Sequence, residues 1–218
     1  MLLSISENIL DFKKTIPQDV TLVAVSKTKP VETIMQAYNT GHRIFGENKV
    51  QEMEAKWKEM PEDVEWHMIG HVQRNKVKYM APFVKLIHAV DSLKLLREIN
   101  KQAKKNNRVI ACLLQIKIAE EDSKFGMSEA DALQLLKSED RSKFKNVRIT
   151  GLMGMATFTE DKTQIELEFK RLKGFYDLVK EDYALTELSM GMSGDYEIAI
   201  ANGSTMVRVG SAIFGDRE

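Results

Sequence analysis

The amino-acid sequence predicts an α/β fold, a single (β/α)8 TIM barrel with an extra N-terminal helix. Apolar runs of strand length recur along the 218 residues, and most gaps between them carry the apolar spacing of an amphipathic helix. Strands that alternate with helices form a parallel sheet, and eight such units in about 200 residues fit a closed barrel better than an open sheet. We expect one domain over residues 1–218, because no linker, repeat or low-complexity tract interrupts the chain and it ends soon after the eighth run. The runs start near Val20, Arg43, Val64, Val84, Arg108, Asn146, Thr186 and Thr205.

The predicted helices begin and end at recognisable residues. Pro30 should open the helix after the first strand and Gly41 should close it, while Ser92 precedes a helix that ends in a basic segment. The longest helix should turn one apolar face to the sheet, because its apolar residues recur at steps of four and three. These residues are Ile165, Phe169, Leu172, Tyr176 and Val179.

Composition and charge exclude several classes of protein. The 32 basic and 32 acidic residues give a net charge of zero, so no global positive field favours nucleic acid or an anionic membrane. The longest uncharged stretch, Ile149 to Thr159, is well short of the ~20 apolar residues that span a bilayer. Glu7 and Asp11 make the N-terminal segment a surface helix and not a secretory signal. We expect a cytoplasmic protein whose single cysteine, Cys112, is a buried core thiol.

A lysine follows the first predicted strand, in the stretch VAVSKTKP. The two-residue period of a strand places Val23, Val25 and Lys27 on one face, so the Lys27 amine should lie at the carboxyl end of the strand. Active sites of (β/α)8 barrels lie at this end. A lysine with an ordinary pKa of ~10.4 reacts with carbonyls only if burial or nearby cations lower that pKa. The alternative is a solvated lysine in a loop.

Ser193 stands between two glycines after the seventh predicted strand, and a short helix follows it. Backbone N–H groups at the start of a helix and a serine hydroxyl together suit a phosphate dianion. The loops after strands seven and eight commonly hold phosphate in this fold. Alternatively, Ser193 only caps its helix, and the acidic residues Asp195 and Glu197 favour that interpretation.

The eighth predicted strand carries Arg208 on the face that it shares with Met206 and Gly210. Gly210 and Ser211 open another short turn, which is a second candidate phosphate seat. An arginine in an apolar strand cannot lose its proton and needs an acceptor or an aromatic partner, and a buried structural ion pair is the alternative. A lysine, two phosphate seats and an arginine together suit pyridoxal 5′-phosphate (PLP), with its Schiff base on the lysine and its pyridine nitrogen against the arginine.

Other patterns carry less chemistry. His67 and His71 have a metal-like spacing, but in a strand residues four apart lie ~13 Å from each other. None of the four histidines fits a zinc pattern, so we expect no metal. Four methionines at predicted strand ends either line a flat aromatic ligand or belong to the core, and these are Met153, Met155, Met190 and Met192.

Six motifs along nearly the whole chain resemble those of the pyridoxal phosphate homeostasis proteins. They are AVSKTKP (24–30), FGENKVQE (45–52), WHMIGHVQRNK (66–76), GLMGMA (151–156), LSMGMSGD (188–195) and GSTMVRVGSAIFG (203–215). The resemblance implies a single PLP-binding domain over residues 1–218, similar to the N-terminal barrel of alanine racemase. It would be a fold type III PLP barrel without the C-terminal β domain of those enzymes.

The resemblance also implies roles for particular residues. Lys27 matches the Schiff-base lysine, Ser193 and the Gly210–Ser211 turn match the phosphate site, and Arg208 matches the arginine at the pyridine nitrogen. Asn48 matches a residue that lines the cofactor pocket. No residue is expected to be catalytic.

The function implied by the resemblance is intracellular PLP homeostasis, in which a monomer holds PLP on Lys27 and exchanges it with other proteins such as PLP-dependent apoenzymes. A weak PLP-dependent amino-acid racemase is the alternative. Racemisation needs a second acid or base opposite the lysine, and none of the five tyrosines is expected there. Lys124 is a candidate second aldehyde acceptor, with a solvated loop lysine as the alternative.

Overall fold

The computed structural model describes residues 4–121 and 125–215, which form one closed barrel of eight parallel strands. Each strand pairs with its neighbours in the sequence, and the last strand pairs with the first. The predicted (β/α)8 barrel is therefore confirmed. The strands are β1 (Thr21–Val25), β2 (Ile44–Glu47), β3 (Glu65–Met68), β4 (Leu86–Val90), β5 (Ile110–Gln115), β6 (Val147–Met153), β7 (Glu187–Met192) and β8 (Met206–Val209).

Helices surround the barrel and connect its strands. A 3₁₀ turn at Arg74–Lys76 precedes the short helix between β3 and β4. None of the helices in the described ranges is long and apolar enough to cross a membrane. The helices are α1 (Ile5–Thr15), α2 (Val31–Tyr38), α3 (Val50–Glu59), α4 (Val77–Met80), α5 (Leu93–Lys105), α6 (Glu129–Lys137), α7 (Glu139–Ser142), α8 (Lys162–Tyr183), α9 (Tyr196–Ala201) and α10 (Ser211–Phe214).

The helix boundaries follow from local chemistry. Pro30 is the N-cap of α2, and Gly41 follows this helix with a φ of +82°, a conformation that glycine adopts without strain. The Ser92 hydroxyl accepts the Leu95 N–H at 3.3 Å and so caps α5. The sequence-based boundaries of these helices are confirmed.

The extra N-terminal helix α1 is present and begins with a capping box. The Ser4 hydroxyl accepts the Glu7 N–H, and the Glu7 carboxylate accepts the Ser4 N–H at 2.7 Å. The Asn8 side chain donates to the Ile213 carbonyl at 3.0 Å, which ties α1 to α10. The N-terminal helix thereby supports the segment that follows β8.

The core has two layers, one inside the barrel and one between the strands and the helices. The apolar face of α8 is buried as predicted, and Phe169 and Leu172 are fully enclosed. Cys112 is also fully buried in the outer layer, where burial raises the pKa of its thiol. The inner layer consists of Val23, Leu86, Ala89, Leu113, Met153 and Met206. Because Val23 points inwards, the face that leads to Lys27 points to the mouth of the barrel.

Candidate ligand pocket

A pocket of about 910 Å³ lies at the carboxyl ends of the strands. Its volume is within the range of small-molecule sites. The loops after β1, β2, β3, β5, β6, β7 and β8 contribute to its wall. All six site residues expected from the sequence line this one pocket, namely Lys27, Asn48, Ser193, Arg208, Gly210 and Ser211.

Lys27 lies in a turn immediately after β1. The Lys29 N–H donates to the Ser26 carbonyl at 3.1 Å and closes the turn. Thr28 has a φ of +65°, which is unusual for a β-branched residue and costs of order 1–3 kcal/mol. The Glu52 carboxylate accepts the Thr28 N–H at 2.5 Å, so α3 helps to hold this conformation.

Asn48 follows β2, and its backbone lies in close contact with Gly70 in the loop after β3. A Cβ atom on Gly70 would lie 2.4 Å from the Asn48 carbonyl oxygen. The loop after β3 can therefore pack against Asn48 only because residue 70 has no side chain. Gly70 also lines the pocket, and the sequence analysis did not single it out.

Ser193 joins the loops after β7 and β8. Its hydroxyl oxygen accepts the Gly210 N–H at 3.0 Å. The N-cap of α9 is Asp195, whose carboxylate accepts the Met192 N–H at 2.5 Å. The alternative that Ser193 caps the helix is therefore wrong. Ser211 is exposed at the start of α10, and no described residue accepts a hydrogen bond from its hydroxyl.

Arg208 is a buried cation held by neutral oxygens. Its Nη1 donates to the Ser189 carbonyl at 3.0 Å and to the Ser189 hydroxyl at 2.6 Å, and its Nη2 donates to the Gly154 carbonyl at 3.0 Å. Burial lowers the pKa of Arg208 to about 10, against an opposing effect of Asp195, so it stays charged at neutral pH. No salt bridge among the described residues includes Arg208. The alternative of a buried structural ion pair is therefore wrong.

Two histidines continue this chain of hydrogen bonds into the barrel. His88 Nδ1 lies 3.1 Å from the Ser189 hydroxyl, and His88 Nε2 lies 3.1 Å from His67 Nδ1. Arg208 donates to the Ser189 hydroxyl oxygen, so we infer that the Ser189 O–H donates to His88 Nδ1. The protonated Nε2 of His88 then donates to His67 Nδ1. Burial lowers the pKa of His67 to about 3 and that of His88 well below its ordinary value, so both rings are neutral.

The sequence analysis missed Ser189 and His88 and considered His67 only as a metal ligand. A signal for them was present in the sequence, because each of these three residues is a polar residue in an otherwise apolar strand. No group of three or more histidine, cysteine or acidic side chains in residues 4–121 and 125–215 is arranged to hold a metal ion.

Aromatic and sulfur-containing side chains complete the pocket. Phe125 stacks on His71 with ring centroids 4.3 Å apart at the mouth, a pair that the sequence did not suggest. Met155 and Met192 line the pocket, whereas Met153 and Met190 are core residues. The candidate second acceptor, Lys124, lies outside the described residues.

The fold and pocket agree with comparisons to known proteins. The family described as "Alanine racemase, N-terminal domain" matches residues 2–218. The structure of an alanine racemase from Bartonella henselae has a TM-score of 0.75, is 16% identical, and is matched over 98% of this chain and 63% of that chain. At this identity the likeness concerns the fold alone. The class is thus a barrel of the alanine racemase N-terminal type.

Relatives at higher identity define the family more narrowly. A pyridoxal phosphate homeostasis protein from Aquifex aeolicus is 40% identical over 200 residues, which cover 90% of this chain and 87% of that protein. One from Escherichia coli is 38% identical over 207 residues, with coverages of 93% and 88%. PipY of Synechococcus elongatus, solved with PLP bound, is 34% identical at a TM-score of 0.88 and is matched over 97% of this chain and 100% of that chain. The chain belongs to the pyridoxal phosphate homeostasis protein family.

The neutral histidines beneath Arg208 predict a stability that depends on pH. Above the unfolded-state pKa of about 6.5, His67 is neutral in both states and the full stability is present. As the pH falls from there towards 3, only the unfolded state gains the proton, so stability is lost by about 1.4 kcal/mol per pH unit. Between about pH 6 and pH 4, the free energy of unfolding should fall less in His67→Gln than in the wild type. The difference between the two proteins should be up to about 1.4 kcal/mol per pH unit. Urea denaturation across that interval measures it, and parallel curves for the two proteins would contradict the assignment.

Proposed function

We propose that this protein binds PLP in the barrel-mouth pocket, holds it as a Schiff base on Lys27, and exchanges it with PLP-dependent apoenzymes. The observation that carries the proposal is the pairing of β1 with β8, which sets Val23 opposite Arg208. That pairing brings the Lys27 turn beside the loops that carry Ser193, Gly210 and Ser211. One ligand with an aldehyde and a phosphate can bridge the two.

The residues of the phosphate seat suit a dianion. The Ser193 and Ser211 hydroxyls provide donors, and Gly194 lines the same wall. A Cβ atom on Gly194 would meet no other atom within 4 Å, so the backbone there is accessible to a ligand. Hydrogen bonds from neutral donors to a charged phosphate are stronger than those to a neutral acceptor. We assign the phosphate to this seat.

Arg208 suits the pyridine nitrogen of the bound ligand. Its three hydrogen bonds use three of the five guanidinium N–H groups, and Arg208 also lines the pocket. A guanidinium that keeps its proton can only donate, so it favours an unprotonated pyridine nitrogen. Bound PLP supplies an electron-withdrawing ring for amino-acid chemistry, and a donor of this kind keeps that ring a weak electron sink.

Among the described residues, the pocket lining contains no tyrosine that could act as a second acid or base, which supports a carrier over a racemase. Racemisation needs a second acid or base across from the lysine. Of the tyrosines, Tyr196 comes nearest in sequence to the pocket residues, but its ring packs edge-on against Phe12 at 5.3 Å and it is not among the residues that line the pocket.

We also propose that the protein acts as a monomer and as one domain over residues 1–218, in the cytoplasm. The pocket wall comes from seven loops of one chain, so a second copy is not needed to complete it.

The covalent assignment predicts where a reduced ligand is found. After incubation with PLP and reduction with borohydride, peptide mapping should place the label on Lys27, because its turn adjoins the phosphate seat. Lys27→Ala should lose the visible absorbance and the label. Lys29→Ala is the matched control two residues away, and it should keep both. A label on Lys29 or Lys124 in the wild type would contradict the assignment.

The phosphate assignment predicts selective loss of affinity. The double variant Ser193→Ala/Ser211→Ala should raise the Kd for PLP by at least about 10²-fold, since each of the two charged hydrogen bonds contributes about 1.5–3 kcal/mol. The Kd for pyridoxal, which lacks the phosphate, should change by less than about twofold. Equilibrium dialysis measures both constants.

The control for that experiment is Ser128→Ala, which removes the N-cap of α6 and changes no residue that lines the pocket. It should change neither constant. Equal weakening of PLP and pyridoxal binding in the double variant would place the phosphate elsewhere.

A further inference from the structure

A buried lysine, Lys56 on α3, lies next to the pocket without lining it. Its ammonium donates to the Ser26 carbonyl at 2.8 Å, to Glu47 Oε1 at 2.7 Å and to Glu52 Oε1 at 2.7 Å. These bonds use all three donors of the lysine. The cluster of Lys56, Glu47 and Glu52 is named here the α3 clamp.

The α3 clamp holds the chain on both sides of Lys27. On one side, the Ser26 hydroxyl donates to Glu47 Oε1 at 2.6 Å, and the Ser26 carbonyl accepts from Lys56. On the other side, the Thr28 N–H donates to Glu52 Oε1 at 2.5 Å. The residues before and after Lys27 are therefore both attached to one ammonium group, directly or through a carboxylate.

The conformation of the turn requires such an attachment. Thr28 has a positive φ, and a β-branched residue keeps this backbone conformation only where its surroundings hold it. Glu52 supplies the acceptor for the Thr28 N–H, and Lys56 fixes that carboxylate four residues along α3. Without the lysine, the turn would keep the Lys29 N–H bond to Ser26 but lose the ammonium that fixes Ser26 and Glu52 on either side of Lys27.

Stability alone does not account for the clamp. Buried ion pairs are weak contributors to stability compared with well-packed apolar side chains. Glu47 is fully buried, its second oxygen has no hydrogen-bond partner among the described residues, and burial raises its pKa. Burying the Glu47 carboxylate and the Lys56 ammonium costs free energy. Their place beside Lys27 therefore indicates that they position the backbone of the turn.

We propose that Lys56 is a positioning residue for Lys27, which holds the turn after β1 so that the Lys27 amine meets the ligand aldehyde. The inference rests on the proposed function. In the bond-forming step the Lys27 amine adds to the aldehyde carbon, a C=N bond replaces the C=O bond, and the oxygen leaves as water with no change in oxidation state. Lys56 does not touch the ligand and acts only through the turn.

A four-protein cycle tests the proposal. The Kd for PLP is measured by equilibrium dialysis for the wild type, Lys56→Met, Lys27→Ala and Lys27→Ala/Lys56→Met. We expect Lys56→Met to raise the Kd by about tenfold when Lys27 is present and by less than about twofold when it is absent. A residue with a merely structural role would weaken binding equally in both backgrounds.

Control variants keep the result interpretable. Lys58→Met removes an exposed ion pair with Glu54 on the same helix, 2.8 Å long, and should leave the Kd unchanged. If Lys56→Met does not fold, Lys56→Met/Glu47→Gln removes the unpaired buried carboxylate and takes its place in the cycle. Glu52→Ala should act in the same direction as Lys56→Met, and Glu52→Gln, which keeps an oxygen for the Thr28 N–H, should restore most of the affinity.

Each outcome decides the proposal. Equal weakening with and without Lys27, or no weakening in either background, would overturn it. Failure of the proposed function has a different signature, because the wild type and Lys27→Ala would then bind PLP equally and borohydride would not label Lys27.

Discussion

Closure of the barrel through the pairing of β1 with β8 is the constraint on which the pocket depends. Thr21 pairs with Met206 and Ala24 with Val209, so the loops after these strands emerge side by side. Residues that are about 180 positions apart in the sequence thereby form one wall. The hydrogen bond from the Gly210 N–H to Ser193 at 3.0 Å adds the loop after β7 to the same wall. The candidate contacts after β7, β8 and β1 follow from this arrangement, and Asn48 comes from β2, the next strand of the barrel.

Hydrogen bonds within the barrel wall hold the polar groups beneath and beside the pocket. Arg208 keeps its charge among neutral oxygens, and the two histidines behind Ser189 stay uncharged because burial depresses the pKa of each ring. On the other side of the barrel wall, the α3 clamp attaches the Lys27 turn to a helix. The pocket therefore has a hydrogen-bonded floor and lies at the carboxyl ends of the strands.

The sequence predicted the fold closely, because strand and helix periods are local properties. The eight strands begin within about two residues of the expected positions, and the apolar face of α8 is buried as its spacing indicated. The pocket lysine, the serine and the arginine were found because they follow or interrupt apolar strands. The network of Ser189 and His88 and the clamp of Lys56 were not, because their partners lie in distant segments and no local pattern reveals a buried side-chain contact. The role of Gly70 was not predicted for the same reason, since its close approach to Asn48 is a contact between distant segments.

We propose that the pocket holds its ligand reversibly and passes it on. The most direct measurement is the activation of an apo aminotransferase by the PLP-loaded protein, compared with free PLP at the same total concentration. We predict full activation, at a rate equal to that of PLP release into a chemical trap, and faster release from Lys27→Ala. An apoenzyme that stays inactive with the loaded protein, while free PLP activates it, would contradict the claim.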